Sequence, residues 1–99
     1  MRDSAIQRFE FTFDLSWKAI KAYLQEIHGI ESFSPKGCFR EAFQQGLIEY
    51  GEKWLEMVDD RNKTAHLYKE AMADKVYAKL PEYLQLFKRL LQSLGENHG

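Results

Sequence analysis

The segment Ser4–His28 reads as one helix with two apolar faces, and that feature limits the fold more than any other. Ile6, Phe9, Phe13, Trp17, Ile20, Leu24 and Ile27 step by three or four and make one stripe. Phe11, Leu15, Ala19 and Ala22 make a second, roughly 140° to 220° around from Ile6 at about 100° per residue. A helix that is apolar on two sides needs two partners. It belongs in the middle of a bundle, or between a bundle and a second chain.

The rest of the chain keeps helical rather than alternating spacing, and strand signals are nearly absent. Gly29 supplies the first stop. Ser34-Pro35 is an N-cap followed by proline at the first helical position, and it opens a short helix that carries Phe39, Ala42 and Phe43 and stops at Gly46. A third stripe runs Leu47, Gly51, Trp54, Val58, Arg61, Ala65. A fourth runs Met72, Val76, Leu80, Tyr83, Phe87, Leu91, Leu94 straight through Pro81, which predicts one kinked helix or two joined almost end to end. The expected fold is therefore an all-α, up-and-down helical bundle, a single domain over residues 1–95 with a frayed tail at 96–99.

Size and charge narrow the function classes. A chain of 99 residues makes one domain, and with 44% hydrophobic and 14% aromatic residues it has the material for an aromatic-rich core. Fourteen basic residues against fifteen acidic ones leave a net charge of -1, which argues against binding nucleic acid by bulk electrostatics, so any RNA contact is local. Cys38 is the only cysteine; an internal disulfide or a cysteine-based zinc site is excluded, and a reducing compartment suits the chain. No apolar run approaches membrane-spanning length, and the opening residues lack the apolar core of a signal peptide. A cytoplasmic location, away from membranes, is the expectation.

Chemistry concentrates in Arg61-Asn62-Lys63-Thr64-Ala65-His66-Leu67-Tyr68. Arg61 stands where the third stripe asks for an apolar residue, so it is paired or faces a polar cavity. An ion pair with Asp14, Asp59 or Asp60 accounts for it without any catalytic role. His66 suits proton transfer near neutral pH, and an arginine beside it would stabilise charge developing on a phosphate oxygen. Taken alone, a histidine near a helix is more often a surface or capping residue, and Tyr68 alone reads as a core or interface aromatic. On one regular helix His66 stands about 140° from Arg61, whereas Tyr68 lies almost directly over it. Convergence of Arg61 and His66 thus requires a helix break near Thr64 or a two-fold dimer interface. His28 and His98 show no metal-ligand spacing, and Glu49, Glu52, Glu56, Asp59 and Asp60 read most simply as a solvated face.

The run Arg8-Phe9-Glu10-Phe11-Thr12-Phe13-Asp14-Leu15-Ser16-Trp17-Lys18 resembles the signature of the nucleotidyltransferase substrate-binding proteins within the HEPN group. Ser34-Pro35, Arg40-Glu41-Ala42-Phe43, Gly46-Leu47-Ile48 and Trp54 follow in the family's order, and Arg61 to Tyr68 fits the R-x4-H-x-Y motif of HepT-like members. The resemblance spans about Arg2 to Leu94. It implies a four-helix-bundle HEPN fold without the first helix that relatives usually carry, a homodimer, and a minimal nucleotidyltransferase partner encoded separately. It further implies a metal-independent endoribonuclease toxin, needing no cofactor, with Arg61 and His66 catalytic on RNA and Asn62 orienting the site. Tyr68 corresponds to the tyrosine that receives AMP from the partner acting as antitoxin. The older family name implies instead a non-catalytic subunit that presents substrate to the nucleotidyltransferase.

Overall fold

Two glycines decide where the chain turns. The helix α1 (Arg2–His28) ends where Gly29 takes a φ of +64°, which lets the Ile30 amide reach back to the Leu24 carbonyl at 3.0 Å. The next helix, α2 (Pro35–Gln44), stops in the same way: Gly46 has a φ of +79° and the Leu47 amide bonds the Ala42 carbonyl at 2.9 Å. Both are left-handed C-terminal stops of the kind glycine adopts without steric cost. At the start of α2, the Ser34 hydroxyl accepts the Gly37 amide at 3.1 Å and Pro35 takes the first helical position. All of these stops and caps lie where the spacing placed them.

The structure is a computed structural model that describes residues 2–65 and 70–98. Its remaining helices are α3 (Gly51–Thr64) and α4 (Glu70–His98), and no strand occurs among the described residues. The chain is an all-α bundle in which α1 touches each of the other three helices. α4 is one continuous helix through Pro81 rather than two joined end to end. It also continues past Gly95 to His98, the segment expected to fray. No helix among the described residues is long and apolar enough to cross a membrane.

Aromatic rings tie the four helices together. Phe39 stacks on Trp54 with centroids 4.8 Å apart and meets Phe13 at 5.7 Å, which joins α2 to α3 and α1. Phe9 stacks on Tyr83 at 5.5 Å, and Phe87 meets Trp54 edge-on at 5.7 Å, which brings in α4. Such offset and edge-on pairs add about 0.5–1.5 kcal/mol each beyond the area they bury. Most of the expected core is present, with several adjustments, among them Phe43, which is exposed. Leu47 and Ile48 are buried, but from the α2–α3 connection rather than from α3. Ile27 is exposed, because the core contacts of α1 end at Leu24. On α4 the buried row steps from Tyr83 to Leu86, Phe87 and Leu90, so Leu91 lies outside it.

The second apolar face of α1 is uncovered. Phe11 is 68% and Leu15 67% exposed, and Ala19 and Ala22 are exposed with them. α1 is therefore central within the bundle and open on its far side.

Candidate functional site

α3 ends inside the motif. Its last turn tightens as the Ala65 amide reaches the Asn62 carbonyl at 3.4 Å, three residues back rather than four, and the helix stops at Thr64. The Thr64 hydroxyl competes for the same backbone, lying 2.6 Å from the Arg61 carbonyl and 2.9 Å from Glu10 Oε2, with one proton to give to either. α3 thus ends at Thr64, where one of the two alternatives of the angular argument put a break.

Arg61 leaves α3 toward α1, where two carboxylates one turn apart receive it. Nη1 donates to Glu10 Oε2 at 2.8 Å and to Thr64 Oγ1 at 3.2 Å, while Nη2 and Nε donate to the two oxygens of Asp14 at 3.2 and 3.4 Å. The pairing with Asp14 is bidentate, the geometry that a planar guanidinium favours. Four of the five guanidinium N–H groups are thereby used, and the second on Nη2 has no partner among the described residues. The Arg61 side chain is 24% exposed, so the ion-paired cluster is partly solvated. One positive and two negative formal charges leave the cluster at about -1, and a phosphate entering it must displace a carboxylate or approach through the remaining N–H.

The preceding residue points the other way. Asp60 is only 3% exposed and lies against α4, where the Tyr83 hydroxyl and Lys79 Nζ, the latter at 3.1 Å, both donate to its Oδ2. Lys79 also donates to Glu56 Oε1 at 2.9 Å, and Lys53 bridges Glu56 and Glu82 at 3.7 and 3.1 Å. Burial and the Asp60 hydrogen bond push the Tyr83 phenol well above its usual range. The hydrogen bond from Lys79 holds Glu56 below its usual value, and the same bond raises Lys79. Asp60 was expected on a solvated face and is instead buried, because the turn that carries it packs against Tyr83. Asp59, one residue earlier, is the exposed member and pairs with Lys36 at 2.9 Å.

Of the residues singled out in the sequence, the structure places Arg61 in an ion-paired site and Asn62 on the exposed side of the last α3 turn. His66 and Tyr68 lie outside the described residues. Asp14 was correctly named among the possible partners of Arg61, whereas Glu10 was not considered. The signal was available: Glu10 and Asp14 stand four apart, flanking Phe9 and Phe13 of the core stripe, so both carboxylates lie along one edge of the buried face. His28 packs edge-on against Tyr23 at 5.7 Å and takes no part in this cluster.

Comparison with known proteins agrees with this architecture. The family model described as "Nucleotidyltransferase substrate binding protein like" matches residues 1–96. A Haemophilus influenzae protein named "Probable ribonuclease HepT" is 37% identical over 98 residues, covering 95% of this chain and 67% of that protein. A crystal structure of a Thermus thermophilus protein superposes with a TM-score of 0.90 at 46% identity, covering 94% of this chain and 80% of that one. A Haemophilus influenzae structure, described as revealing the fold of a substrate binding domain of a nucleotidyltransferase, superposes with a TM-score of 0.84 at 37% identity and covers 94% and 72% of the two chains.

Proposed function

From the premise that the chain belongs to the nucleotidyltransferase substrate-binding protein family, we propose that it is the HepT-like subunit of a two-component pair, a metal-independent endoribonuclease that works beside a separate nucleotidyltransferase. The observation that carries this reading is the arrangement at the end of α3. Arg61 is held by Glu10 and Asp14 with one N–H that has no partner among the described residues, and α3 stops at Thr64. The similarity to a protein named as a probable ribonuclease supports it.

In the proposed reaction the ribose 2′-oxygen bonds to the adjacent phosphorus and the bond from phosphorus to the 5′-oxygen breaks. The 2′-hydroxyl proton passes to a base, the leaving oxygen takes a proton, and the products are a 2′,3′-cyclic phosphate and a 5′-hydroxyl. His66 moves one of these protons and Arg61 stabilises the phosphorane through its remaining N–H. Asn62 orients the site. In a homodimer, His66 of a second copy supplies the other proton transfer. The nucleotidyltransferase partner transfers AMP to Tyr68: the phenol oxygen attacks the α-phosphorus of ATP, pyrophosphate leaves, and the added phosphate blocks RNA through its charge.

The test incubates the purified chain, in EDTA, with a structured RNA beside Arg61→Ala and His66→Ala controls, and examines the product ends. Cleavage by the wild type alone, leaving 2′,3′-cyclic phosphates, is the expected result. No cleavage from a folded sample would leave the second reading, a non-catalytic subunit that presents substrate to the nucleotidyltransferase. One observation favours that reading: Arg61 is already engaged by two carboxylates in the free chain. It predicts that the variants change only the partner's activity.

A further inference from the structure

The edge of α1 that receives Arg61 changes charge as it runs on. At about 100° per residue, Lys18 and Lys21 stand within roughly 40° of Asp14 around the helix, one and two turns further along. Lys18 is exposed and Lys21 partly so, and neither pairs with a carboxylate among the described residues. The Lys21 ammonium lies over the Phe33 ring, 5.7 Å from its centroid. That ring is 80% exposed, the highest value of any large hydrophobic side chain among the described residues, so the rest of its surface is open. Yet the loop that carries it is fixed on both sides. Ser32 is buried before it, and after it the Ser34 hydroxyl caps α2. Lys36, in the first turn of α2, pairs with Asp59 at 2.9 Å, which ties this end of α2 to α3 two residues before Arg61. Two routes thus fix Phe33 relative to Arg61, one through Lys21 and Asp14 on α1 and one through Asp59 on α3.

We propose that this edge is a subsite for single-stranded RNA, in which an unpaired base stacks on Phe33 and the neighbouring phosphates meet Lys18 and Lys21. The inference rests on the ribonuclease reading and adds to it the part of the substrate that is held away from the cleaved bond. Lys21 lies about 10.5 Å beyond Asp14 along α1, which at about 3.4 Å per stacked nucleotide sets the base about three nucleotides from the phosphate at Arg61. Every base has a π-face, so a stacking ring with cations beside it accepts RNA without a particular sequence and without bulk positive charge. That suits a chain whose net charge is -1. The loop's own carboxylate, Glu31, is exposed, and together with Lys18 and Lys21 it leaves the edge with a positive formal charge. A protein partner is a poorer match, because an interface buries an apolar core and the neighbours of Phe33 in the loop are Ser32 and Ser34. A duplex keeps its bases stacked on one another and offers no free face to the ring.

The experiment titrates the purified chain into a fluorescently labelled single strand of about eight nucleotides, 2′-O-methylated throughout so that it cannot be cleaved, and follows anisotropy. Phe33→Ala is expected to weaken binding about tenfold, and Phe33→Trp to retain it. K18A/K21A should make the slope of log affinity against log salt shallower by about 1.4, two phosphate contacts at about 0.7 each. A duplex of the same sequence should bind less tightly than the single strand. All three positions are at least partly exposed, so the variants should keep the circular dichroism of the wild type. Binding that Phe33→Ala leaves unchanged, or no saturable binding by the wild type, overturns the proposal. So does a wild-type dimer in sedimentation that Phe33→Ala dissociates, which gives the ring to a protein interface. Unmodified RNA of the same sequence separates this outcome from the ribonuclease reading. Cleavage that survives Phe33→Ala at the wild-type KM leaves a ribonuclease without this subsite, whereas Phe33-dependent binding without cleavage leaves the subsite and removes the ribonuclease.

Discussion

At the scale of single residues, Arg61 shows what a sequence reveals and what it hides. A guanidinium on an apolar stripe announces that it is paired, and Asp14 follows as a candidate because it sits beside the core stripe of the first helix. That Glu10 joins it depends on how α3 crosses α1, a relation between segments some fifty positions apart that no local pattern encodes. His66 and Tyr68 rest on the motif alone. The geometry at Arg61 leads to a stability prediction. Arg61→Ala leaves two half-buried carboxylates facing each other without a cation, and since the cluster is partly solvated the expected loss is about 1–3 kcal/mol, below the cost of breaking a fully buried pair. Urea denaturation measures it. Adding Asp14→Asn to Arg61→Ala should recover part of the loss, and a further loss instead would show that repulsion between the carboxylates is not the cause.

At the scale of elements, the end of α3 is pinned on two sides by consecutive residues. Arg61 holds it to α1 and Asp60 holds it to α4 through Tyr83 and Lys79. Helix boundaries were legible, because Gly29, Ser34-Pro35 and Gly46 act locally. The role of Asp60 was not, since a run of acidic residues on a helix looks solvated until the neighbouring helix is in place. Tyr83 was placed correctly on the core face of α4, but nothing in its spacing said that the hydroxyl meets a carboxylate. Asp60→Ala is expected to cost about 1–3 kcal/mol, because it leaves the Tyr83 phenol unsatisfied while Lys79, partly exposed, keeps Glu56, and Tyr83→Phe removes one hydrogen bond and costs about 1–2 kcal/mol. A double-mutant cycle on the pair, read from urea midpoints, should give a coupling above about 0.5 kcal/mol. Additive losses would mean that the two groups are stabilised independently.

At the scale of the whole molecule, the double stripe on α1 called for two partners, in the middle of a bundle or between a bundle and a second chain; α1 does meet every other helix, while Phe11 and Leu15 remain open. The matching exposure on α4 was hidden, because Leu90 and Leu91 fit a helical stripe equally well and only packing against α1 and α3 chooses Leu90. The lock between α3 and α4 also gives the molecule a defined response to pH. The folded state raises Tyr83 and Lys79 and lowers Glu56. For Glu56 the stabilisation is present above its unfolded value, about 4.3, and is lost as pH falls through the lower folded one. For Tyr83 and Lys79 the sign is opposite: stability is intact below their unfolded values, about 10 and 10.4, and declines above them as the unfolded chain loses protons that the folded chain keeps. Unfolding stability should therefore be flat near neutrality and fall above about pH 10, by at most about 1.4 kcal/mol per pH unit for Tyr83 and by less for the more exposed Lys79. Tyr83→Phe removes the most buried of the alkaline contributors, so this variant, less stable at neutral pH, should show a shallower alkaline limb that converges on the wild type. If its limb keeps the wild-type slope, the phenol buried against Asp60 is not what couples the fold to alkaline pH.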